Sequence, residues 1–147
     1  EVVEKEKPSM VAVANFDADF AAASTTLEAY FVLKDALVAT KADLAQKAAG
    51  KLAELSEGDV KAAAASIAAS TDVKEQRNLF NTISQQMYET IKAEGAGETI
   101  YKQYCPMAFN NEGAYWLSSE EKIMNPYFGD MMLNCGRVDE TLQASAD

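Results

Sequence analysis

Apolar residues along this chain recur at helical spacing for most of its length. From Asp17 onward Phe20, Leu27, Tyr30, Phe31, Leu37 and Val38 stand three, four or seven positions apart, the period that lays one apolar stripe along a helix. The pattern predicts a first helix over 17–38, with Asp17 capping its first turn. Leu44, Ala48, Leu52 and Leu55 continue the stripe between a Thr40/Asp43 pair that resembles a capping box and a Ser56-Glu57-Gly58 stop. They predict a second helix over 41–55, or a continuation of the first across a kink. Asp59 is placed to cap an alanine-rich third helix over 59–70, in which high helix propensity offsets the thin apolar face of Val60, Ala64, Ile67 and Ala68. Asp72 with Glu75 opens a fourth over 72–94, lined by Phe80, Ile83, Met87 and Ile91 and broken by Gly95-Ala96-Gly97. Four amphipathic helices joined by short turns predict an antiparallel four-helix bundle with Tyr30, Phe31, Phe80 and Ile83 in its core.

The texture changes after Gly97. Residues 99–142 contain the lone Trp, both Cys, four of six Tyr and four of six Met, with turn signals at Asn110-Asn111 and Asn125-Pro126. Ile100–Tyr104 and Ala114–Leu117 are aromatic-rich runs that predict a hairpin around a turn at 110–113. The expected fold is therefore mainly α: a lead-in over 1–16, an antiparallel four-helix bundle over 17–97, and a small C-terminal mixed α/β appendage over 98–142. At 147 residues all of this fits a single domain, 1–147, with one core.

Composition narrows the function classes. Thirteen basic against 23 acidic residues leave a formal charge of −10, with no basic stripe to neutralise phosphates, which argues against a nucleic-acid partner. No apolar run approaches the roughly 18 residues of a membrane helix, so the chain is not expected to span a membrane. Histidine is absent, which removes the commonest general base, triad partner and metal ligand. The acids are spread along helical faces as a solvated surface would have them. The expectation is that the protein is not an enzyme. Because the numbered chain opens with Glu1 and first shows Met at position 10, it reads as a processed product or a trimmed piece, with a signal peptide or lipoprotein leader as the candidate segment removed.

The one soft-ligand cluster is in the last third. In Cys105-Pro106-Met107 an extended backbone would put both sulfurs on one face, and Pro106 favours that conformation at Cys105. Asp130-Met131-Met132-Leu133-Asn134-Cys135-Gly136 could form one helical turn, with Met131 and Met132 four and three residues before Cys135. Two thiolates with one or two thioethers make a site that selects Cu(I) or Ag(I), whereas zinc lacks its usual ligands here. Against this stand plainer roles: Met124, Met131 and Met132 as core fillers, Tyr115 and Trp116 as hairpin packing, and a Cys105–Cys135 disulfide closing a loop of about 30 residues. A thiol oxidoreductase is the weakest reading, since the Cys-x-x-Cys spacing is missing.

Tyr104-Cys105-Pro106-Met107-Ala108, Gly113-Ala114-Tyr115-Trp116-Leu117-Ser118, Asn125-Pro126-Tyr127-Phe128-Gly129 and Met132-Leu133-Asn134-Cys135-Gly136 occur in that order, preceded by the helical stretches Tyr30–Val38 and Arg77–Ser84. In these motifs the sequence resembles, over residues 20–142, a family of uncharacterised exported bacterial helical domains. Such domains occur alone after a signal peptide or fused to periplasmic adaptor subunits of copper and silver efflux systems. The Cys-Pro-Met piece also looks like the core of a heavy-metal motif in those adaptors that continues with His, where this chain has Ala108. What the resemblance implies is a sulfur-only site through Cys105, Met107 and Cys135, with Met131 and Met132 added by spacing. The protein would then be periplasmic, or an outer-membrane lipoprotein facing the periplasm or exterior, and would sequester Cu(I) or Ag(I) or pass it to an efflux adaptor or another exported protein. The competing expectation is a disulfide-stapled structural or protein-interaction module that holds no metal.

Overall fold

A computed structural model describes residues 8–143, so residues 1–7 of the expected lead-in lie outside the described chain. A 3-10 segment, Pro8–Val13, leads into α1 (Phe16–Ala22), α2 (Thr26–Val38), α3 (Ala42–Leu55), α4 (Gly58–Ala68) and α5 (Val73–Glu94). The remainder comprises β1 (Ile100–Cys105), the short α6 (Ala108–Asn111), β2 (Ala114–Ser118), a 3-10 turn at Gly129–Met131 and β3 (Arg137–Leu142). The molecule is mainly helical with a small three-stranded antiparallel sheet at its C-terminal end.

The continuous helix expected over 17–38 is in fact two. Thr25 accepts a hydrogen bond from the Glu28 amide (3.1 Å), while the Glu28 carboxylate reaches back to the Ser24 amide (2.8 Å). This reciprocal pattern satisfies orphan amides at a new helix start, which an unbroken helix would not require. The other proposed caps fare unevenly. Asp72 does cap α5, accepting from the Lys74 amide at 2.9 Å. Thr40 does not cap α3: it sits at φ 58°, and its hydroxyl accepts from Arg77. Asp59 lies inside the first turn of α4, which starts one residue earlier at Gly58.

From α2 to α5 each helix packs on the next, and α2 also meets α5. Ala45, Ala48 and Ala49 of α3 and Ala64 of α4 are fully buried, small side chains where these helices pack. Tyr30, Leu33, Leu37, Leu52, Ile67, Phe80 and Ile83 fill the interior and continue into Ile100, Trp116 and Leu117 of the sheet. Of the four core aromatic and aliphatic residues expected, Tyr30, Phe80 and Ile83 are there, but Phe31 is only half-buried.

The expected hairpin is present, with Tyr101 opposite Ser118 and Cys105 opposite Ala114. β1 is central, and β3, which sequence did not reveal, pairs on its other side from Ile100↔Leu142 to Tyr104↔Arg137. The residues of β3, Arg-Val-Asp-Glu-Thr-Leu, are mostly exposed, so no apolar face marks the strand. Its hold comes from polar contacts: Glu140 accepts from Tyr88 and Lys92 of α5, each at 2.6 Å, and Asp139 lies 3.5 Å from the Lys102 ammonium. Lys102 in turn stands 4.4 Å from the ring centres of both Tyr88 and Tyr115.

Two side chains join the sheet and its loops to the helices. The Tyr30 hydroxyl is 2.7 Å from Ser84 Oγ of α5 and accepts from the Leu117 amide of β2 at 2.9 Å. β2 is an edge strand, so that amide has no strand partner on its outer side and the hydroxyl supplies one. Arg77 of α5 donates to Pro126 O (2.7 Å), Leu37 O (2.8 Å) and Thr40 Oγ1 (3.0 Å), tying the 125–129 loop to the C-terminal end of α2.

Removing the Tyr30 hydroxyl leaves a buried amide and Ser84 without their partner. Tyr30→Phe is therefore expected to lower unfolding free energy by about 1–3 kcal/mol in denaturant titration, with near-native helix content. A change below a few tenths of a kcal/mol would show that the hydroxyl is not a structural joint.

The Lys92 ammonium and the Tyr88 hydroxyl hold the Glu140 carboxyl below the usual carboxylate range. A depressed folded value means that this contact contributes above the ordinary carboxylate range and fades as pH falls through the lowered value. Amide exchange in β3 should accelerate in that acid window, and Glu140→Gln should abolish the pH dependence. Retention of the same profile in the variant would disprove the assignment.

Candidate functional site

Strand register brings the two cysteines together. Cys105 ends the central strand β1, and Tyr104 stands opposite Arg137, so the residues just before Arg137 run alongside Cys105. The Cys105 and Cys135 sulfurs are 2.9 Å apart across a separation of thirty positions, and both thiols are free. Cys105 is fully buried and Cys135 half-buried.

The loop that delivers Cys135 is built around Asn125, which is fully buried. Its backbone N–H donates to Leu133 O (2.7 Å), its side-chain amide donates to Cys135 O (2.9 Å), and its Oδ1 accepts from the Tyr127 amide (2.8 Å). Tyr127 then packs against the rings of Phe80, Phe109 and Trp116, at centroid distances of 6.0, 5.2 and 5.8 Å, and donates its hydroxyl to Tyr115 O at 2.8 Å. Gly136, at φ 140°, lets the chain pass close to β1: a Cβ there would fall 2.9 Å from Tyr104 O and 3.2 Å from the Trp116 ring. A side chain at that position would push Cys135 away from Cys105. Sequence marked Asn125-Pro126 as a turn signal, but the carbonyl of Cys135 as the target of Asn125 is a tertiary fact, as is the role of Arg77 in holding Pro126.

The methionines do not follow the local geometry expected of them. Met107 lies past the end of β1 with φ −93° and ψ −6°, so the extended Cys-x-Met arrangement is not formed, and Met107 is 45% exposed. The single helical turn expected over 130–135 is also not formed: the 3-10 turn stops at Met131, and Met132 has φ −150° and ψ 57°. Met131 is 80% exposed. Met132 is half-buried and linked to the site through its carbonyl, which accepts from the Cys135 amide at 3.0 Å. Trp116 and Tyr115 serve packing, with Trp116 fully buried. Among the described residues no group of three or more His, Cys, Asp or Glu side chains is arranged to hold a metal ion, so the thiol pair stands without carboxylate help.

Burial, and after it the hydrogen bond with Cys105, push the Cys135 thiol up to about 11. Near neutral pH Cys135 is thus protonated, and either metal capture or disulfide formation must release its proton. The 2.9 Å separation lies between two chemical outcomes. A disulfide draws the sulfurs to about 2.0 Å. Two thiolates sharing one ion, at metal–sulfur bonds near 2.3 Å, stand roughly 3.8–4.6 Å apart depending on the angle. The disulfide needs the sulfurs about 0.9 Å closer and the shared ion needs them about 0.9 to 1.7 Å further apart.

The family described as protein of unknown function (DUF3347) matches residues 26–99. The chain belongs to that family. The matched segment begins at the first residue of α2 and ends just before β1, so it contains α2 to α5 and leaves both cysteines outside. No curated protein and no solved structure matches the chain.

Thiol reactivity reports the electrostatics directly. At pH 7.5 Cys135 should alkylate roughly a hundredfold or more slowly than an unperturbed thiol, with a rate that climbs until about pH 11. In Cys105→Ser the plateau should move to lower pH. A wild-type plateau near pH 8 to 9, measured by mass spectrometry of iodoacetamide adducts, would contradict the buried-pair geometry.

Proposed function

We propose that this domain binds one Cu(I) or Ag(I) ion through Cys105 and Cys135 and serves, without enzymatic activity, to sequester it or deliver it to heavy-metal efflux. The observation that carries the reading is the convergence of two free thiols to 2.9 Å in a chain without histidine. Soft d10 ions accept two thiolates as a sufficient set, whereas zinc and harder cations require ligands that this site does not bring together. Of the three thioethers near the pair in sequence, Met132 is half-buried and its carbonyl accepts from the Cys135 amide, whereas Met107 is 45% and Met131 80% exposed. The exported setting, periplasmic or lipoprotein-anchored, and an efflux adaptor as recipient rest on the motif resemblance alone.

One observation favours a second reading, a disulfide-stapled structural or interaction module. The sulfurs stand slightly nearer the bonded distance than the metal-bridged one, and Cys105 is fully buried. Closing the bond removes two protons and two electrons from the thiols and passes the electrons to an oxidant such as another disulfide. The loop of about 30 residues so formed would add about 3–4 kcal/mol of stability on the chain-entropy account.

Competition of the reduced protein with a chromophoric Cu(I) chelator separates the readings. About one ion per chain is expected, with Cys105→Ser and Cys135→Ser each weakening binding by at least about tenfold, or 1.4 kcal/mol. Met132→Leu should cost less and Met131→Leu nothing, because a thioether lacks the thiolate charge. Equally weak binding by all variants would remove the metal reading. If mild oxidation then gives an intact mass lower by two hydrogens together with a higher melting temperature, the staple is the function of the pair.

A further inference from the structure

At the end of the helical body remote from the 125–136 loop lies a cleft of about 780 Å³, bounded by the first turn of α2, the α3–α4 junction and the last turns of α5. It exists because α5 has 22 residues and α4 only 11, so the C-terminal turns of α5 run on beyond the start of α4. Gly95 and Gly97, at φ 81° and 76°, then turn the chain toward β1 before anything covers the exposed flank. The floor is apolar: Leu27, Leu55 and Val60 are half-buried, and Met87 and Ile91 lie beneath them.

The rim is acidic. Glu57, Glu94 and Glu98 are exposed, no lysine or arginine lines the cleft, and these three make no ion pair among the described residues. Glu28 adds a fourth carboxylate, already engaged in capping α2. An apolar floor between unpaired carboxylates is the inverse of an amphipathic helix with basic flanks, the helix-in-groove mode of recognition. Residues 144–147 carry no cation and residues 1–7 set Lys5 and Lys7 against Glu1, Glu4 and Glu6, so neither stretch supplies a cationic helix. A second copy is disfavoured by a charge of −10 on each molecule.

We infer that this cleft is a docking site for a cationic amphipathic helical segment of a partner protein. Apolar side chains of the segment would enter between Leu55, Val60 and Ile91, and its lysines or arginines would meet Glu57, Glu94 and Glu98. The site is separate from the thiol pair and independent of whether that pair holds metal.

The probe is a synthetic fluorescent helical peptide of leucine and lysine in amphipathic order, with a shuffled peptide of the same composition as control. Binding is read by anisotropy at low and high ionic strength. Replacing Glu57, Glu94 and Glu98 together by Gln should weaken binding by about tenfold or more, while Glu89→Gln, Glu112→Gln and Glu121→Gln combined, an equal change of net charge elsewhere, should cost less than about threefold. Equal losses in the two triple variants, or equal affinity for the shuffled peptide, would show mere attraction to an acidic surface and overturn the proposal. Backbone hydrogen exchange on the unaltered protein gives a check free of folding artefacts. Protection at 91–98 on adding the peptide supports the cleft, and unchanged exchange there overturns it.

Discussion

The structure depends on one hydroxyl placed where three elements meet. Tyr30 comes from α2, its ring stacks on Phe80 of α5 at 4.9 Å, and its oxygen joins Ser84 of α5 to the Leu117 amide of β2. A fully buried polar atom is tolerable only when its hydrogen bonds are complete, and completing them fixes the distance and rotation between helix pair and sheet. Burial drives the phenol far from ionisation, so the joint stays neutral across the physiological range. With β2 seated on α5, β1 is set beside it, and the register of β1 with β3 follows.

That register is what makes a site of two cysteines thirty positions apart. Neither thiol is placed by its immediate neighbours alone: Cys105 is held by strand pairing and Cys135 by the buried amide of Asn125. Asn125 in turn depends on Tyr127, whose ring is enclosed by aromatic residues from α5, α6 and β2. The sulfur pair is therefore coupled through packed side chains to the helical body that carries the family match. Burial and the neighbouring thiol raise the Cys135 thiol above its ordinary value, which slows its reaction with alkylating agents near neutral pH.

Charge is distributed to match this division. The few cations near the sheet are engaged locally: Lys102 between two tyrosine rings and Asp139, Lys92 on Glu140, Arg137 over the ring of Tyr104 at 4.9 Å. The acidic excess is left facing solvent, including the rim of the cleft at the end of α5. Two different surfaces result: a partly buried sulfur pair, and an open trough with an acidic rim.

Local signals in the sequence determined the helices well. Apolar periodicity placed α3, α4 and α5 to within two residues, and the hairpin of β1 and β2 was legible because each strand carries aromatic residues of high strand preference. The break between α1 and α2 was also written locally, in Ser24-Thr25 followed by Glu28, but the apolar stripe running through it masked the capping pattern. Composition and spacing singled out Cys105 and Cys135 as the chemistry to follow. What only the tertiary structure decided is everything that depends on long-range pairing. β3 has no apolar face and exists because β1 and α5 offer it hydrogen bonds and counter-charges. Met107 and Met131 turn outward because the backbone after Cys105 and around Gly129 leaves the extended and helical paths on which their spacing relied. The sulfurs meet because Gly136 admits a close approach to Tyr104 and Asn125 holds the chain there. Periodicity reports which face of an element is buried; it carries no information about which distant element will cover it, and that missing term is where the site resides.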